Sequence, residues 1–395
     1  MAKAPHVRGT RRIGLRTGKI PVVAILMETS RAFGKGVIRG IGNYAKAHGP
    51  WNLHITPGDL DQRLPPSEMW HVDAVIGRIS SRQILSDLLK RKIPVVCIDP
   101  VSYCGSYYVK SNQATVCQLA FEHLRDRGFR RFAFCGLNTY WGVERREHFG
   151  RQVRAAGLEF HNFEFGGHRG KTLERQLADW LSSLPKPVGL MAQDDLLAHE
   201  AINICRFVGV NVPEQIGIIG VDNDELVCEL SAPTLSSVAL NCERVGFEGA
   251  KILDSVLAGK KHDPVEVLVE PINVVPRQST DAVGIDDPVV AAALRFIREH
   301  VCEVISVADL SRRAFVSRRA LEMRFEKVLG RPPHEEILRC RMARARELLI
   351  NTDMKLSAIS TASGFSSIRY MHRTFQRKLK QTPGEFRIAN RPVAR

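Results

Sequence analysis

An internal repeat in the C-terminal part of the chain restricts its fold more than any other sequence feature. Residues between Leu310 and Pro333 recur 49 positions later and, after one extra residue, 50 positions later. The matching pairs are Leu310 and Ile359, Ala314 and Ser363, Val316 and Phe365, Ser317 and Ser366, Phe325 and Phe375, Leu329 and Leu379, and Pro333 and Pro383. Each copy predicts a short helix, a tight turn and a second helix that begins at a serine cap. The second turn contains Gly364, which suits a corner between two helices.

Helix start signals and a long amphipathic segment complete the prediction for this region. Ser306–Asp309 is a capping-box pattern, and Thr382–Glu385 combines a capping threonine with proline at the first helical position. Residues 337–350 predict a helix that connects the repeats, with apolar residues on one face. These residues are Leu338, Met342, Ala345 and Leu349. Two recognition helices about 34 Å apart enter successive major grooves, so a double helix-turn-helix can bind a long site on double-stranded DNA.

The distribution of charge supports a DNA partner for this region alone. The net charge of the chain is +15, and residues 287–395 carry 22 Lys and Arg against 11 Asp and Glu, which gives +11. Residues 1–19 add +6, which leaves −2 for residues 20–286. A near-neutral body with a basic C-terminal domain is typical of a protein whose C-terminal domain binds a polyanion.

Residues 363–375, continuing to Thr382–Arg387, resemble the signature of AraC-type regulators. The resemblance implies base-facing or phosphate-facing side chains at the exposed start and middle of each second helix. In the first unit these are Ser317, Arg318, Arg319, Glu322 and Met323, and in the second they are Ser367, Ile368, Arg369 and Arg373. Glu322 could accept from cytosine, and Arg369 or Arg373 could bind guanine, with phosphate contact or solvation as the alternative for each. The spacing of Leu321, Phe325, Met371 and Phe375 places those four in the core.

From Ile20 to Val275 the chain alternates short apolar runs, which predict strands, with amphipathic segments. The predicted strands are Pro21–Met27, Leu53–Thr56, Ala74–Gly77, Pro94–Ile98, Phe132–Gly136, Val188–Ala192, Ile216–Val221, Val265–Val269 and Ile272–Val275. Strands that are apolar throughout and joined by helices predict parallel, doubly wound α/β sheets that are covered on both faces. The length favours two lobes, with crossovers near residues 99–110 and 228–236. We therefore expect a basic tail (1–18), a sensor (19–278), a polar linker (279–288) and an all-α DNA-binding domain (289–395).

The α/β part resembles the periplasmic-binding-protein-like sensors of LacI/GalR-type regulators. The matching residues are Gly217–Asn223, Pro233–Val238, Gly246 with Ala250, and Arg277–Thr280. A sensor that precedes an AraC-type domain is the order found in bacterial xylose operon regulators, a likeness that leaves out residues 1–18. This resemblance implies that a pentose, D-xylose, binds between the lobes, and that a homodimer activates transcription through RNA polymerase. A different sugar stays an alternative, because the sequence departs from that family around Arg31–Gly36 and Arg78–Ser81.

Sugar hydroxyls need paired donors and acceptors, which parallel sheets present where their strands end. The candidates are Glu28, Ser30, Arg31, Arg78, Trp141, Arg145, Asp194 and Asp222. Asp194 and Asp195 compete, since one of them is expected to cap the helix that begins at Leu196, and Asp194 is favoured as the ligand. For Arg145 the alternative is a surface ion pair, and for Asp222 it is a turn or cap carboxylate.

Other function classes find little support. No GxSxG, HExxH or P-loop motif and no metal-ligand spacing occurs, so neither an enzyme nor a cofactor or metal is expected. The nine cysteines are expected to be reduced, and the absence of a long apolar run or leader pattern favours a cytoplasmic protein. The remaining alternatives are a sugar-processing enzyme on the same scaffold and a constitutive DNA-binding protein.

Overall fold

The computed structural model describes residues 20–55, 71–79, 82–99, 107–163, 165, 172–260, 265–281 and 287–390. They form two compact units, and the chain crosses between these at Ser111/Asn112, Leu240/Asn241 and Val269/Glu270. The two crossovers predicted from sequence therefore lie slightly too early, and the third was missed. The expected basic tail, residues 1–18, lies outside the described residues.

The first unit, here the first lobe, is a six-stranded sheet in which all neighbouring strands are parallel, in the order β11-β5-β4-β3-β1-β2. Its strands are β1 (Val22–Leu26), β2 (Asn52–Ile55), β3 (Ala74–Gly77), β4 (Val95–Ile98), β5 (Tyr107–Ser111) and β11 (Val265–Val269). Its helices are α1 (Ala32–His48), α2 (Arg82–Lys90) and α8 (Cys242–Leu257). Glycines let α1 and α8 approach closely, since a Cβ at Gly246 would overlap the carbonyl oxygen of Val37.

The second unit contains the second lobe, residues 112–240 and 270–281, with strand order β12-β10-β9-β8-β6-β7. Its strands are β6 (Arg131–Cys135), β7 (Glu159–Asn162), β8 (Val188–Ala192), β9 (Ile216–Val221), β10 (Ser236–Ala239) and β12 (Asn273–Val275). Its helices are α3 (Gln113–Asp126), α4 (Tyr140–Ala155), α5 (Leu173–Ser183), α6 (Asp195–Phe207) and α7 (Glu225–Leu230). β12 is antiparallel to β10, and the other neighbours are parallel.

The prediction of doubly wound α/β lobes is confirmed. All residues of β3, β4, β8 and β9 are buried, as expected of strands that helices cover on both faces. The strands β5, β7 and β10 were not predicted, and β5 and β7 are rich in polar residues. β7 lies at the sheet edge and has no buried residue, so its sequence lacks the apolar run that identified the others.

Residues 287–390, here the helical domain, contain only helices among their regular elements and belong to the second unit. The helices are α9 (Pro288–Glu299), α10 (Val307–Arg313), α11 (Arg318–Leu329), α12 (Pro333–Asn351), α13 (Leu356–Ala362), α14 (Ile368–Leu379) and α15 (Pro383–Asn390). The connecting helix α12 begins four residues earlier than the sequence indicated. The capping box at Ser306 and Asp309 is present, and Thr382 and Glu385 exchange the same pair of hydrogen bonds.

The repeat consists of α10 with α11 and of α13 with α14. Leu321, Phe325, Met371 and Phe375 are fully buried, which confirms the predicted core. The caps of the second helices are Ser317 and Ser367, so the extra residue of the second copy lies in its turn. The predicted pairing of Ser317 with Ser366 was therefore wrong by one position.

The expected linker begins inside the second lobe. Ser279 and Thr280 are fully buried, and Ser279 accepts a hydrogen bond from the backbone of Ser236 and donates one to the carbonyl of Ile218. Asp287 caps α9, and residues 282–286 lie outside the described residues.

Two further observations concern the function classes considered above. Within the described ranges, no helix is long and apolar enough to span a membrane. Seven of the cysteines there are free thiols, whereas Cys97 in β4 is disulfide-bonded, contrary to the expectation of a reduced side chain.

Candidate functional site

Arg145 is the centre of a buried polar cluster in the second lobe. It lies on α4, its side chain is 3 % exposed, and the surface ion pair considered from sequence is therefore excluded. Its Nε donates to Oε1 of Gln113 at 2.8 Å, and its Nη1 donates to the carbonyl of Gln193. Nη2 lies 3.9 Å from Oδ1 of Asp222. The guanidinium is thus fixed by groups from three separate parts of the sequence.

Asp222 follows β9 directly and has a backbone φ of 111°, with Asn223 at 52°. This left-handed turn suits Asp and Asn better than most residues, because their short polar side chains tolerate it. The Asp222 amide donates to the carbonyl of Val238, and Arg277 holds the Asn223 side chain through a 3.0 Å hydrogen bond. The Asp222 carboxylate is partly accessible at 15 %.

The neighbouring carboxylates Asp194 and Asp195 have different roles. Asp194, the residue favoured as a sugar ligand, is the N-cap of α6, with Oδ1 accepting from Leu197 and Oδ2 from the Gln193 amide. Asp195 accepts from Ser237 and from the backbone of Asp224. Burial raises the pKa of Asp195 well above its usual value, and repulsion from Asp222 raises it further against these hydrogen bonds. Asp195 therefore keeps its proton to a higher pH than an ordinary aspartate does.

Trp141 lies in the first turn of α4, half-buried, one turn before Arg145. Gln113 and Gln193 were missed by the sequence analysis, although both are buried and contact Arg145. Gln193 follows β8, so a search at strand ends for amides as well as charges would have found it. Gln113 lies two residues after the end of β5, but β5 was not predicted, so this strand end could not be recognised in the sequence.

The first lobe has a comparable cluster. Arg78, which follows β3, pairs with Glu28 at 2.8 Å and with Asp99 at 3.2 Å, and its guanidinium lies 4.7 Å from the centre of the Phe33 ring. Glu28 is fully buried, and its Oε2 accepts no hydrogen bond from the described residues. Asp99 was missed, yet it follows β4 directly, where the strand-end criterion would have found it.

Ser30 and Arg31 precede α1 in the first lobe. Ser30 is exposed, and Arg31 occupies the N-cap position without a side-chain capping hydrogen bond. The structure thus brings Glu28 and Arg78 together directly and places Ser30 and Arg31 in the loop that leads away from Glu28.

The candidate DNA-contacting side chains lie on the second helix of each repeat. All except Glu322 are exposed, and Ser317 and Ser367 cap these helices. Glu322 pairs with Arg318 at 2.9 Å, so a contact with cytosine requires it to exchange this partner. Met323 and Ile368 are apolar side chains with 64 % and 41 % exposure, which suits contact with thymine methyl groups.

Three family models match the chain: XylR N-terminal domain over residues 22–121, Periplasmic binding protein-like domain over 121–280, and Helix-turn-helix domain over 310–389. The xylose operon regulatory protein of Escherichia coli strain K12 is 31 % identical over 384 residues, covering 94 % of this chain and 98 % of that protein. The chain belongs to the family of xylose operon regulators. The Haemophilus influenzae member is 29 % identical, covering 93 % of this chain and 98 % of its own length.

A solved structure described as a xylose-binding transcription activator agrees with the same assignment. It has a TM-score of 0.60 and 30 % identity, and covers 95 % of this chain and all of its own. The chain is thus a sugar-responsive transcription regulator that binds DNA through its helix-turn-helix domain. Across the part of the chain that the structure describes, no group of three or more His, Cys, Asp or Glu residues could hold a metal ion.

Proposed function

We propose that this protein activates genes for the use of D-xylose when D-xylose binds to its sensor. The observation that carries the proposal is the buried Arg145 of α4, which hydrogen bonds to Gln113 and Gln193 hold 3.9 Å from the carboxylate of Asp222. The names of the two xylose operon regulators and of the solved activator support D-xylose as the effector and activation as the outcome.

The sugar contacts are proposed residue by residue. Arg145 donates to ring or hydroxyl oxygens, Asp222 and Asp194 accept from hydroxyls, and Trp141 packs against the apolar face of the sugar. In the first lobe, Glu28 accepts and Arg78 donates, with Ser30 and Arg31 contributing from the loop before α1. Preformed hydrogen bonds hold the side chains of Arg145, Asp194, Arg78 and Glu28, so these four need little ordering when the sugar binds.

The DNA contacts and the assembly are also proposals. The nine exposed or half-exposed residues Ser317, Arg318, Arg319, Glu322, Met323, Ser367, Ile368, Arg369 and Arg373 contact the operator. The protein acts as a homodimer, recruits RNA polymerase, has no enzymatic activity, and works in the cytoplasm, where the DNA is. The proposed domains are the basic tail (1–18), the sensor from residue 19, which extends past 278 to include the buried Ser279 and Thr280, a linker that ends at 288, and the DNA-binding domain (289–395).

The test is calorimetric titration of the full chain with D-xylose, L-arabinose, D-ribose and D-glucose. We expect selective binding of D-xylose that Asp222→Asn weakens at least tenfold, because Asn keeps the left-handed turn but removes the charge. Glu225→Gln is the matched control, since it neutralises an exposed carboxylate three residues away and should bind as the wild type does. Binding of another sugar would change the effector, and binding of none of the four would refute the sugar proposal.

A second experiment addresses the DNA reader. Selection of bound duplexes from random-sequence DNA should give a long asymmetric site with two clusters of fixed base pairs. A single short cluster would contradict the use of both recognition helices.

A further inference from the structure

A buried ion cluster joins the second lobe to the helical domain within the second unit. Asp126, the last residue of α3, pairs with Arg331 and lies 2.7 Å from Nη1 of Arg339. Glu336 pairs with the same two arginines, at 2.8 Å and 2.7 Å. We call these four residues the Asp126 cluster. Asp126 is 1 % and Glu336 0 % exposed, so two buried carboxylates balance two arginines.

Because the Asp126 cluster is buried, its free energy depends strongly on how α12 lies against the end of α3. An arginine that loses its buried carboxylate leaves an uncompensated charge, which is far more costly than breaking a surface ion pair. Burial raises the pKa of Asp126, whereas at Glu336 the attraction of Arg339 and Arg331 outweighs burial and lowers the pKa to about 2. The contacts therefore favour one placement of α12 against the end of α3. α12 is the helix that connects the two helix-turn-helix units.

The other end of α3 lies at the candidate sugar cluster. Gln113 is its first residue and accepts the Arg145 hydrogen bond at 2.8 Å. The Sγ of Cys117, one turn further, donates to the carbonyl of Arg145 at 3.3 Å. A helix of 14 residues spans roughly 20 Å, so α3 directly connects Arg145 with Asp126.

α3 also holds the segment that leads to the helical domain. Nε2 of His123 lies 2.8 Å from Oγ1 of Thr280, and Nη1 of Arg127 lies 3.0 Å from Nδ1 of His123. Because arginine can only donate, Nδ1 accepts, and Nε2 carries the proton that is donated to Thr280. The C-terminal half of α3 thus contacts both the segment at Thr280, which leads to the helical domain, and the Asp126 cluster.

We propose that α3 is a rigid lever that couples sugar binding at Arg145 to the position of the DNA-reading helices through the Asp126 cluster. A shift of Gln113 with Arg145 moves the whole helix, because an α-helix transmits an axial displacement along its length. The Asp126 cluster then changes its pairing and biases the placement of α12. The lever rests on the proposed function, since Arg145 must respond to the sugar.

The test compares operator affinity with and without saturating D-xylose, using the full chain and a duplex selected by the wild-type protein. We expect the wild-type affinities to differ by about 5–150-fold, the usual range of coupling between two sites. Asp126→Asn and, separately, Arg339→Gln should each reduce this ratio at least fivefold while D-xylose affinity in the absence of DNA stays within threefold. Arg339 is one-third exposed, so its variant tests the cluster even where the loss of Asp126 prevents folding. Glu229→Gln removes an exposed partner of Arg277 and should keep the full ratio.

The two failures can be distinguished. A wild-type protein whose operator affinity ignores D-xylose contradicts the proposed function. A wild-type response that both cluster variants retain in full overturns the lever. The lever also has a sugar-independent test: Gln113→Ala should change hydrogen exchange in residues 333–351, and unchanged exchange there overturns it.

Discussion

The turns of the two helix-turn-helix units differ in burial, so a substitution in each turn should change stability in opposite directions. Gly364 and Phe315 occupy the same place, two residues after the first helix of each unit, and both have left-handed backbones with φ of 69° and 52°. Gly364 is buried against the segment after α9, where a Cβ would overlap the carbonyl oxygen of Val301 and lie 2.7 Å from that of Glu303. Phe315 is 95 % exposed.

Gly364→Ala should be strongly destabilising. A left-handed backbone costs about 1–2 kcal/mol for a residue with a Cβ. Displacing the packed carbonyls costs about 1–3 kcal/mol more. Arg341 donates to the carbonyls of Glu303 and Ile305, which limits how far this segment can move. We expect a loss of about 3 kcal/mol in the free energy of local opening, or about 100-fold faster amide exchange.

Phe315→Gly should be stabilising. It relieves the same backbone strain of about 1–2 kcal/mol and adds about 0.5–1 kcal/mol of chain entropy to the unfolded state. The exposed ring contributes little burial, so the net gain is about 0.5–1 kcal/mol. Phe315→Ala is the control, because it removes the ring but keeps the strain and should be nearly neutral.

Hydrogen exchange followed by mass spectrometry on the full chain measures both effects, since peptides from α10–α11 and α13–α14 report local opening separately. Exchange within threefold of the wild type for Gly364→Ala, or faster exchange for Phe315→Gly, would refute the reasoning.

Three further predictions concern other parts of the molecule. Gly246→Ala forces α8 away from α1 and should destabilise the first lobe by about 1–3 kcal/mol, measured as a lower urea midpoint; an unchanged midpoint contradicts the packing. Because the pKa of Asp195 is raised, its contribution to stability is present below the usual aspartate pKa and is lost as the pH rises through the raised value. The stability of the wild type relative to Asp195→Asn should therefore fall with rising pH, and a pH-independent difference would be inconsistent with the raised pKa. Arg369→Ala should weaken operator binding by about 1–3 kcal/mol and relax selection at one base pair, whereas uniform weakening across sequences would indicate a phosphate contact instead.

The sequence predicts best where a local pattern determines the structure. β3, β8 and β9 were predicted with their observed ends, because each is a continuous apolar run between polar turns. The capping boxes at Ser306 and Thr382 were predicted correctly for the same reason, since both partners lie within three residues. β7 could not be found, because an edge strand needs no apolar run.

Long-range partners were beyond sequence reasoning. Arg145 was selected as a strand-end cation, but its contacts with Gln113 and Gln193 are 32 and 48 residues distant and depend on the folded sheet. The choice of Asp194 over Asp195 as the sugar ligand stays a prediction, but the sequence could not assign the cap of α6 to Asp194, because either residue can cap a helix. The Asp126 cluster joins positions 205 residues apart, which no local pattern indicates.

The charges of the two strand-end clusters favour a neutral ligand. In the first lobe, Glu28 and Asp99 both pair with Arg78, and in the second, Asp222 lies 3.9 Å from Arg145 while burial raises the pKa of Asp195. Two carboxylates pair with the one guanidinium of Arg78, and the carboxylate oxygens of both clusters suit sugar hydroxyls, which can donate to them. A phosphate brings like charge into a poorly solvated site and should be rejected. We expect calorimetry to show binding of D-xylose at least tenfold tighter than of D-xylulose 5-phosphate, and Asp222→Asn to narrow that gap. Equal or tighter binding of the phosphorylated sugar would mean that the arginines, rather than the carboxylates, determine the specificity of the sensor.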